Sequence, residues 1–121
     1  MNKEVHPKIE NQFMLEREFN VILCRIIEES LKKVGENVNS VIYYVLKHGY
    51  GIEEEEIPEH IEEFSECIEI IFGEEGRTYI EKIITSNLYL KIKGEHGFAK
   101  GKNFAQKVNN ARHTYIKRKQ I

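Results

Sequence analysis

The chain of 121 residues contains no aspartate and no tryptophan, and it has only two cysteines and two prolines. Without aspartate it cannot form an Asp-based magnesium cluster, an aspartyl phosphate or a Ser-His-Asp triad. Cys24 and Cys67 lie within helical patterns rather than in a CxxC or Cys/His cluster. We therefore interpret them as buried free thiols rather than as a disulfide or a zinc site.

Long hydrophobic runs are also missing. No apolar run approaches the roughly 18 residues that a membrane-spanning helix needs, and the first ten residues, with their lysines and glutamates, do not resemble an apolar signal segment. These absences predict a cytoplasmic protein without a membrane partner. The length fits one domain, residues 1–121, which buries about two-thirds of the surface that the unfolded chain exposes.

The charged residues are sorted into two opposed blocks. Segment 53–75 has eleven glutamates and no Lys or Arg, whereas segment 78–121 has ten Lys or Arg against two glutamates. The net charge of −2 conceals this sorting. It indicates that the acidic and basic blocks have different neighbours or contact each other. We expect them to lie at least partly together, within one chain or across a dimer, so that salt would weaken the fold.

Apolar residues repeat with the 3.6-residue period of the α-helix along the whole chain. The spacing predicts helices over about 9–34, from 38 to a stop at Gly49, from Pro58 to Gly73, over about 77–92, and through Phe104, Val108, Ala111 and Tyr115. Gly35 is the expected left-handed end of the first helix, and Asn37 or Asn39 the cap of the second. The β-branched run in the second helix suggests a strand, but its apolar residues do not alternate. We predict an all-α fold, a compact bundle of about five amphipathic helices, with 94–101 as the candidate flexible connector.

The segment Val38–Lys93 also carries a recognisable succession of motifs. NVNSVIYYVLKHGYGI is followed by IPEHIEEF and by the junction IFGEEG, and the next helix ends in NLYLKIK. This half of the chain resembles an archaeal family of small helical domains that includes the Nitrosopumilus output domains. The resemblance implies an all-α module of signalling or regulatory proteins, with no established reaction and no catalytic residues. The chain has no room for a receiver or sensor domain, so an output role would need a partner in trans.

Motifs for catalysis or metal binding are sparse. Neither HExxH nor ExxH occurs, and no pattern assembles a nucleophile, a base and an orienting group. His60 and Glu63, at i,i+3 of a predicted helix, are a candidate metal pair that we interpret instead as part of a solvated acidic face. The sequence therefore predicts a protein that is not an enzyme and needs no cofactor or metal.

Two basic segments are candidates for contact with anions or partners. Lys91–Asn103 has three glycines and four lysines before a helix start, a composition that can hold phosphate on helix-terminal amides. It lacks the P-loop spacing, and we interpret it as a basic inter-helix loop. The candidate partner-binding residues belong to the last predicted helix and its tail: Lys107, Arg112, Lys117, Arg118 and Lys119.

The partner of this basic helix has two candidate classes. We favour an acidic protein surface, and the alternative is a nucleic-acid-binding regulator that uses the basic C-terminal helix. The net negative charge and the lack of a zinc-finger or RNA-binding motif argue against the alternative.

The first helix indicates self-association. Phe13, Met14, Leu15 and Phe19 cover more of its circumference than one intramolecular contact needs. We therefore expect an exposed apolar patch that is buried in a homo-oligomer, with a dimer as the expected form. Together these patterns predict a non-enzymatic regulatory or protein-interaction module that self-associates.

Overall fold

In the computed structural model, residues 7–93 and 101–120 are described, and the side chains from residue 10 onward. They form four α-helices: α1 (Pro7–Val34), α2 (Val38–Val45), α3 (Ile61–Ile92) and α4 (Phe104–Lys119). A π-helical turn at Leu46–Tyr50 follows α2, and a 3-10 helix at Glu54–Glu59 precedes α3. Because α3 is sharply bent at Gly73, it has two arms, 61–72 and 74–92. The predicted all-α bundle of about five helices is confirmed, whereas the candidate connector lies, except for Gly101, outside the described residues.

The long helix α1 is the centre of the bundle. Its buried side chains recur at helical spacing and form one continuous face: Leu15, Phe19, Leu23, Ile26, Ile27, Ser30 and Leu31. The second arm of α3 packs against this face, and the Asn87 side-chain amide donates a hydrogen bond of 2.9 Å to the Ser30 hydroxyl. α4 packs across both helices, with the Phe104 ring centroid 6.3 Å from Phe64 and the Tyr115 centroid 5.9 Å from Phe19.

The turn between α1 and α2 differs in detail from the predicted one. α1 ends at Val34 before Gly35 as expected, but the residue with left-handed backbone is Asn37, at φ 68°. Asn37 precedes α2, and its side chain makes no capping hydrogen bond. Asparagine tolerates positive φ better than most other residues with a side chain, so Asn37 can take this conformation.

Two predicted helix boundaries are wrong. Gly49 does not end the second helix, because the chain continues through the π-helical turn to Gly51, whose φ is 70° and whose N–H donates to the carbonyl of Lys47. Pro58 lies within the 3-10 helix rather than in the first turn of an α-helix, and α3 begins at Ile61. The glutamates themselves cap the start of the 3-10 helix, because the Glu53 N–H donates to the Glu56 carboxylate at 2.8 Å.

The bend of α3 is held by a polar cluster that joins the two arms. Gly73 has φ 82° and ψ 174°, a region that is essentially restricted to glycine. Across the bend, the Ser65 hydroxyl donates to Glu81, and Arg77 Nη1 donates to the other Glu81 oxygen at 3.0 Å. Arg77 Nε also lies 3.1 Å from a Glu69 oxygen, as an ion pair without hydrogen-bond alignment. We call Ser65, Glu69, Arg77 and Glu81 the bend clamp.

The acidic and basic blocks are neighbours, but they are not joined by ion pairs. Phe104 at the start of the basic helix packs on Phe64 in the acidic arm of α3. Within the described ranges, however, no salt bridge links a basic residue of α4 to a glutamate of segment 53–75. The two blocks therefore meet through aromatic packing and through hydrogen bonds such as the one from Arg112 Nη2 to the Pro58 carbonyl, rather than through ion pairs. None of the helices in these ranges combines the length and the apolar content needed to span a bilayer.

Candidate functional site

Arg112, the central residue of the predicted basic surface, faces the protein interior. Its Nη2 donates to the Asn20 side chain and to the Pro58 carbonyl, both at 3.3 Å, and the guanidinium carbon lies 5.1 Å from the centroid of the Phe19 ring. Burial lowers the pKa of this guanidinium, and the nearby Glu16 carboxylate opposes the shift. Arg112 therefore fastens α4 to α1 and to the segment before α3, and it is not free to bind a partner.

Arg118 is also engaged within the chain. Its Nη1 donates to the carbonyls of Ile92, at 3.5 Å, and of Lys93. These carbonyls lie at the end of α3, where Lys93 takes a left-handed conformation with φ 55°. A cation at this position satisfies orphan carbonyls and complements the negative end of the helix dipole. Arg118 thus caps α3.

The other three predicted residues have separate surroundings. Lys117 is exposed, and the Lys119 ammonium lies 5.5 Å from the centroid of the Tyr115 ring. Lys107 is half-buried and lines a cavity at the start of α4. The five residues therefore do not form one basic surface, because two of them serve the fold and the remaining three are distributed around α4.

The predicted apolar patch on α1 divides into core and surface. Leu15 and Phe19 are buried, whereas Phe13 and Met14 are exposed. Val21, which sequence reasoning missed, is exposed as well, with 57% of its surface accessible against 60% for Met14. An open groove of about 480 Å³ lies beside α1 and α4, and we call it the α1 groove. Its walls are formed by Met14, Arg17, Glu18, Val21, Ile22 and Tyr115.

One wall of the α1 groove is held in place by a hydrogen bond. The Tyr115 hydroxyl donates to Glu18 Oε1 at 2.8 Å, and burial together with this carboxylate raises the pKa of Tyr115 to about 12. The bond orders one oxygen of Glu18 and leaves the other available. Arg17, beside it in sequence, is exposed and makes no ion pair with a described residue.

The exposed face of α1 has a two-fold pattern that the sequence analysis did not detect. The midpoint of the pattern lies between positions 17 and 18. Residues at equal distances before and after this midpoint form pairs that are either oppositely charged or both apolar: Arg17 with Glu18, Met14 with Val21, and Glu10 with Arg25. All six are exposed. Their spacing of three or four residues places them along one side of the helix. The signal was available in the sequence, but only the structure shows that all six side chains stay exposed, although Glu18 accepts a hydrogen bond from Tyr115 of α4.

A second cleft, of about 470 Å³, lies between α1, α2 and the 3-10 helix. The half-buried Cys24 lines it, with its thiol donating to the Glu54 carbonyl at 3.6 Å, and Tyr43 and Glu28 lie in the same cleft. Burial, then the charges of Glu54 and Glu55, raise the pKa of Cys24 to about 11. The thiol is therefore protonated at neutral pH and is a poor nucleophile.

The candidate metal pair does not develop into a site. His60 Nδ1 lies 3.8 Å from Glu63 Oε1, so the two side chains face each other. In the part of the chain that the structure describes, no group of three or more His, Cys or Glu side chains is arranged to hold a metal ion. The pair is consistent with the solvated acidic face that the sequence indicates.

Comparison of the chain with protein-family models finds no match, and comparisons with curated proteins and with solved structures find none either.

Proposed function

We propose that the chain is a non-enzymatic protein-interaction module that self-associates as a two-fold dimer through the exposed face of α1. The observation that carries this proposal is the two-fold pattern of that face, in which apolar and charged positions are self-complementary. A surface that pairs with itself about a two-fold axis must place each residue opposite a complementary one, and this face does so at every position of the pattern.

The arrangement that satisfies the pattern is an antiparallel pair of α1 helices. With the two-fold axis between positions 17 and 18, Met14 of one copy contacts Val21 of the second, and Arg17 of one copy faces Glu18 of the second. At the ends, Glu10 faces Arg25. Each contact occurs twice in the dimer, and the apolar contacts lie between the charged ones along the helix.

Apolar burial and charge pairing have different effects in this dimer. Fully burying an exposed Val or Met side chain gains about 1.5–3 kcal/mol, so the four side chains together gain about 6–12 kcal/mol, which is comparable to an association cost of about 4–15 kcal/mol. Additional contact with Ile22 and Tyr115 along the α1 groove enlarges the apolar area. The exposed ion pairs add little affinity, but they select the antiparallel register. We therefore expect a dimer whose population depends on concentration over the micromolar range.

A charge-swap series tests the proposal. In the dimer the Arg17–Glu18 contact occurs twice. Arg17→Glu places two glutamates opposite each other in both of these contacts, and Glu18→Arg places two arginines opposite each other. Each single variant should therefore weaken the dimer about tenfold or more. The double variant R17E/E18R restores opposite charges and should dimerise again. Sedimentation equilibrium over a concentration series measures the dissociation constant. Lys33→Glu, the same charge change at another exposed position of α1, is the matched control.

Two outcomes would overturn this function. One is a wild-type chain that stays monomeric up to several hundred micromolar, which excludes the dimer. The other is a double variant that is no better than Glu18→Arg, which lacks the Tyr115 hydrogen bond in the same way, because that result excludes the two-fold register. Replacement of Met14 and Val21 by serine should abolish dimerisation and leave a melting temperature close to that of the wild-type monomer at low concentration, since neither side chain belongs to the core.

The regulatory part of the proposal rests on the resemblance of Val38–Lys93 to the archaeal family of small helical domains that includes the Nitrosopumilus output domains. It remains a prediction that the module works in the cytoplasm as an output unit for a partner in trans. The alternative function, a nucleic-acid-binding regulator, is weakened because Arg112 and Arg118 make intramolecular hydrogen bonds. Only Lys107, Lys117 and Lys119 of the proposed basic set then remain for phosphate contacts.

A further inference from the structure

A cavity of about 560 Å³ lies between the second arm of α3 and the start of α4. It shares no residue with the α1 groove. Its size falls within the roughly 300–1,000 Å³ of small-molecule sites. The residues of α3 that line it recur at helical spacing, so one side of the arm faces the cavity, and α4 contributes its first turn and the two residues before it. Two elements that are distant in sequence thus form its walls.

The cavity collects positive charge. Lys82 from α3 and Lys102 and Lys107 from the start of α4 line it together with Arg77. In the described ranges, none of the three lysines forms an ion pair with a carboxylate, although the chain has twenty acidic residues. Three unpaired ammonium groups around one cavity repel one another, and a bound anion relieves that repulsion.

The one acidic residue in the wall does not cancel this charge. Glu81 is only 9% exposed, and both of its carboxylate oxygens are used within the bend clamp, by Ser65 and by Arg77. Because Arg77 also pairs with Glu69, the bend clamp as a whole carries one negative charge, which is less than the charge of the three lysines. The three lysines leave the cavity with a net positive charge.

Hydrogen-bond donors complete the wall. Thr78, Thr85 and Ser86, which carry hydroxyl groups, line the α3 side. On the other side, Asn103 caps α4 by accepting a hydrogen bond from the Gln106 N–H at 2.9 Å, so the positive end of the α4 dipole points to the same region. Gly101 lets the chain approach this turn closely, because a Cβ at its position would lie 3.0 Å from both the backbone nitrogen and Cγ of Lys107.

We propose that this cavity binds a small phosphorylated compound, with its phosphate oxygens held by Lys82, Lys102 and Lys107 and by the hydroxyls of the α3 wall. Lysine ammonium groups and hydroxyls can donate hydrogen bonds to the oxygens of a multiply charged oxyanion. Among the described residues of the wall, no free carboxylate competes with the ligand for these donors. A concave cavity of this size admits a small molecule. An extended nucleic-acid backbone instead needs a basic track along the surface, and the two arginines of α4 are not available to form one.

The test is titration of the full chain with sodium pyrophosphate, and with inorganic phosphate in a second arm, at constant ionic strength. We expect a calorimetric dissociation constant for pyrophosphate below about 1 mM. Amide resonances of segments 78–86 and 102–107 should shift during the titration. Tighter binding of pyrophosphate than of inorganic phosphate would support a ligand with adjoining phosphate groups, whereas equal affinities would support a single phosphate.

Lysine replacements locate the site. Lys82→Gln and Lys107→Gln should each raise the dissociation constant about tenfold, because each removes one charge-assisted hydrogen bond. Lys33→Gln on α1 is the matched control and should leave it unchanged. Thermal melts of the three variants without ligand check that the fold is intact. The proposal is overturned if pyrophosphate and phosphate both fail to bind at millimolar concentration, if the control weakens binding as much as the cavity variants, or if only an oligonucleotide binds through these lysines.

Discussion

At the scale of single residues, the surroundings of a side chain decide its chemistry more than its type does. Arg112 and Lys117 are both cations of the same helix, yet Arg112 is fixed over an aromatic ring and Lys117 is in solvent. The cysteines show the same dependence. Burial, and to a smaller extent the Glu66 charge, raise the pKa of Cys67 to about 11, as burial and two glutamates do for Cys24.

We predict slow thiol reactivity in the folded chain at pH 8. With a pKa of about 11 instead of the ordinary 9.0, the thiolate fraction at this pH is about a hundredfold smaller than in the unfolded chain. The rate of reaction with a disulfide reagent, compared with and without guanidinium, measures this difference. The Cys24→Ala and Cys67→Ala variants assign the phases. Rapid reaction of both native thiols would contradict the prediction.

The same shifts have a consequence for stability at alkaline pH. Below pH 9 the thiols are protonated in both the folded and the unfolded chain, so they add no pH dependence. Between pH 9 and 11 the unfolded thiols lose protons while the folded ones keep theirs, so the free energy of unfolding falls as the pH rises.

At the scale of elements, the bend of α3 determines how the bundle closes. Gly73 allows the reversal of direction, and the bend clamp joins the two arms with Arg77 and Glu81. A continuous helix of this length would carry the second arm away from α1 and expose its apolar face. Formation of the hydrophobic core therefore requires the backbone conformation at Gly73.

We predict that Gly73→Ala destabilises the chain by about 1–3 kcal/mol, because an L-residue at φ 82° and ψ 174° is strained even where space is free. Thermal or urea unfolding measures the loss. Gly49→Ala is the matched control, since its φ is not positive and its added Cβ would make an ordinary contact of 3.8 Å with Val45. An equal effect of both substitutions would show that the backbone conformation at Gly73 is not the cause.

At the scale of the whole molecule, the opposed charges of the acidic and basic blocks do not determine how the helices pack. The basic helix α4 packs on the acidic arm of α3 through phenylalanine rings, and the ion pairs of the acidic segment reach Lys47 and Arg77 instead. Most of its eleven glutamates remain exposed without a cation. Their mutual repulsion is therefore the larger electrostatic contribution at low ionic strength.

We accordingly expect the melting temperature to rise when sodium chloride is increased from low ionic strength to about 0.15 M, where the screening length is about 8 Å. This direction is opposite to the one that attraction between the two blocks would produce. The double variant Glu55→Gln/Glu62→Gln should have a higher melting temperature at low salt and a smaller change in melting temperature when salt is added. Glu36→Gln, which lies outside the acidic block, should show the same dependence of melting temperature on salt as the wild type. A melting temperature that falls with added salt would instead support electrostatic pairing of the acidic and basic blocks.

The sequence by itself determined the helical period, the extent of α1, the position of α4, and the stop at Gly73. These features depend on residues within a few positions of one another, since amphipathic spacing and the conformational freedom of glycine act locally. The same local information failed at Gly49 and Pro58, because the π-helical turn and the 3-10 helix there replaced the simplest boundaries.

The tertiary structure alone decided which side chains are available for function. Arg112 bonds to Asn20, 92 positions away in the sequence, and no local pattern can reveal that its guanidinium is occupied. The cavity at the start of α4 likewise needs Lys82 and Lys107 to be brought together by packing. The self-complementary face of α1 was present in the sequence as a pattern, but its exposure depends on where the other helices pack. Helix formation is a local property, whereas surfaces and cavities arise from contacts between distant segments, and this difference separates what the sequence could predict from what it could not.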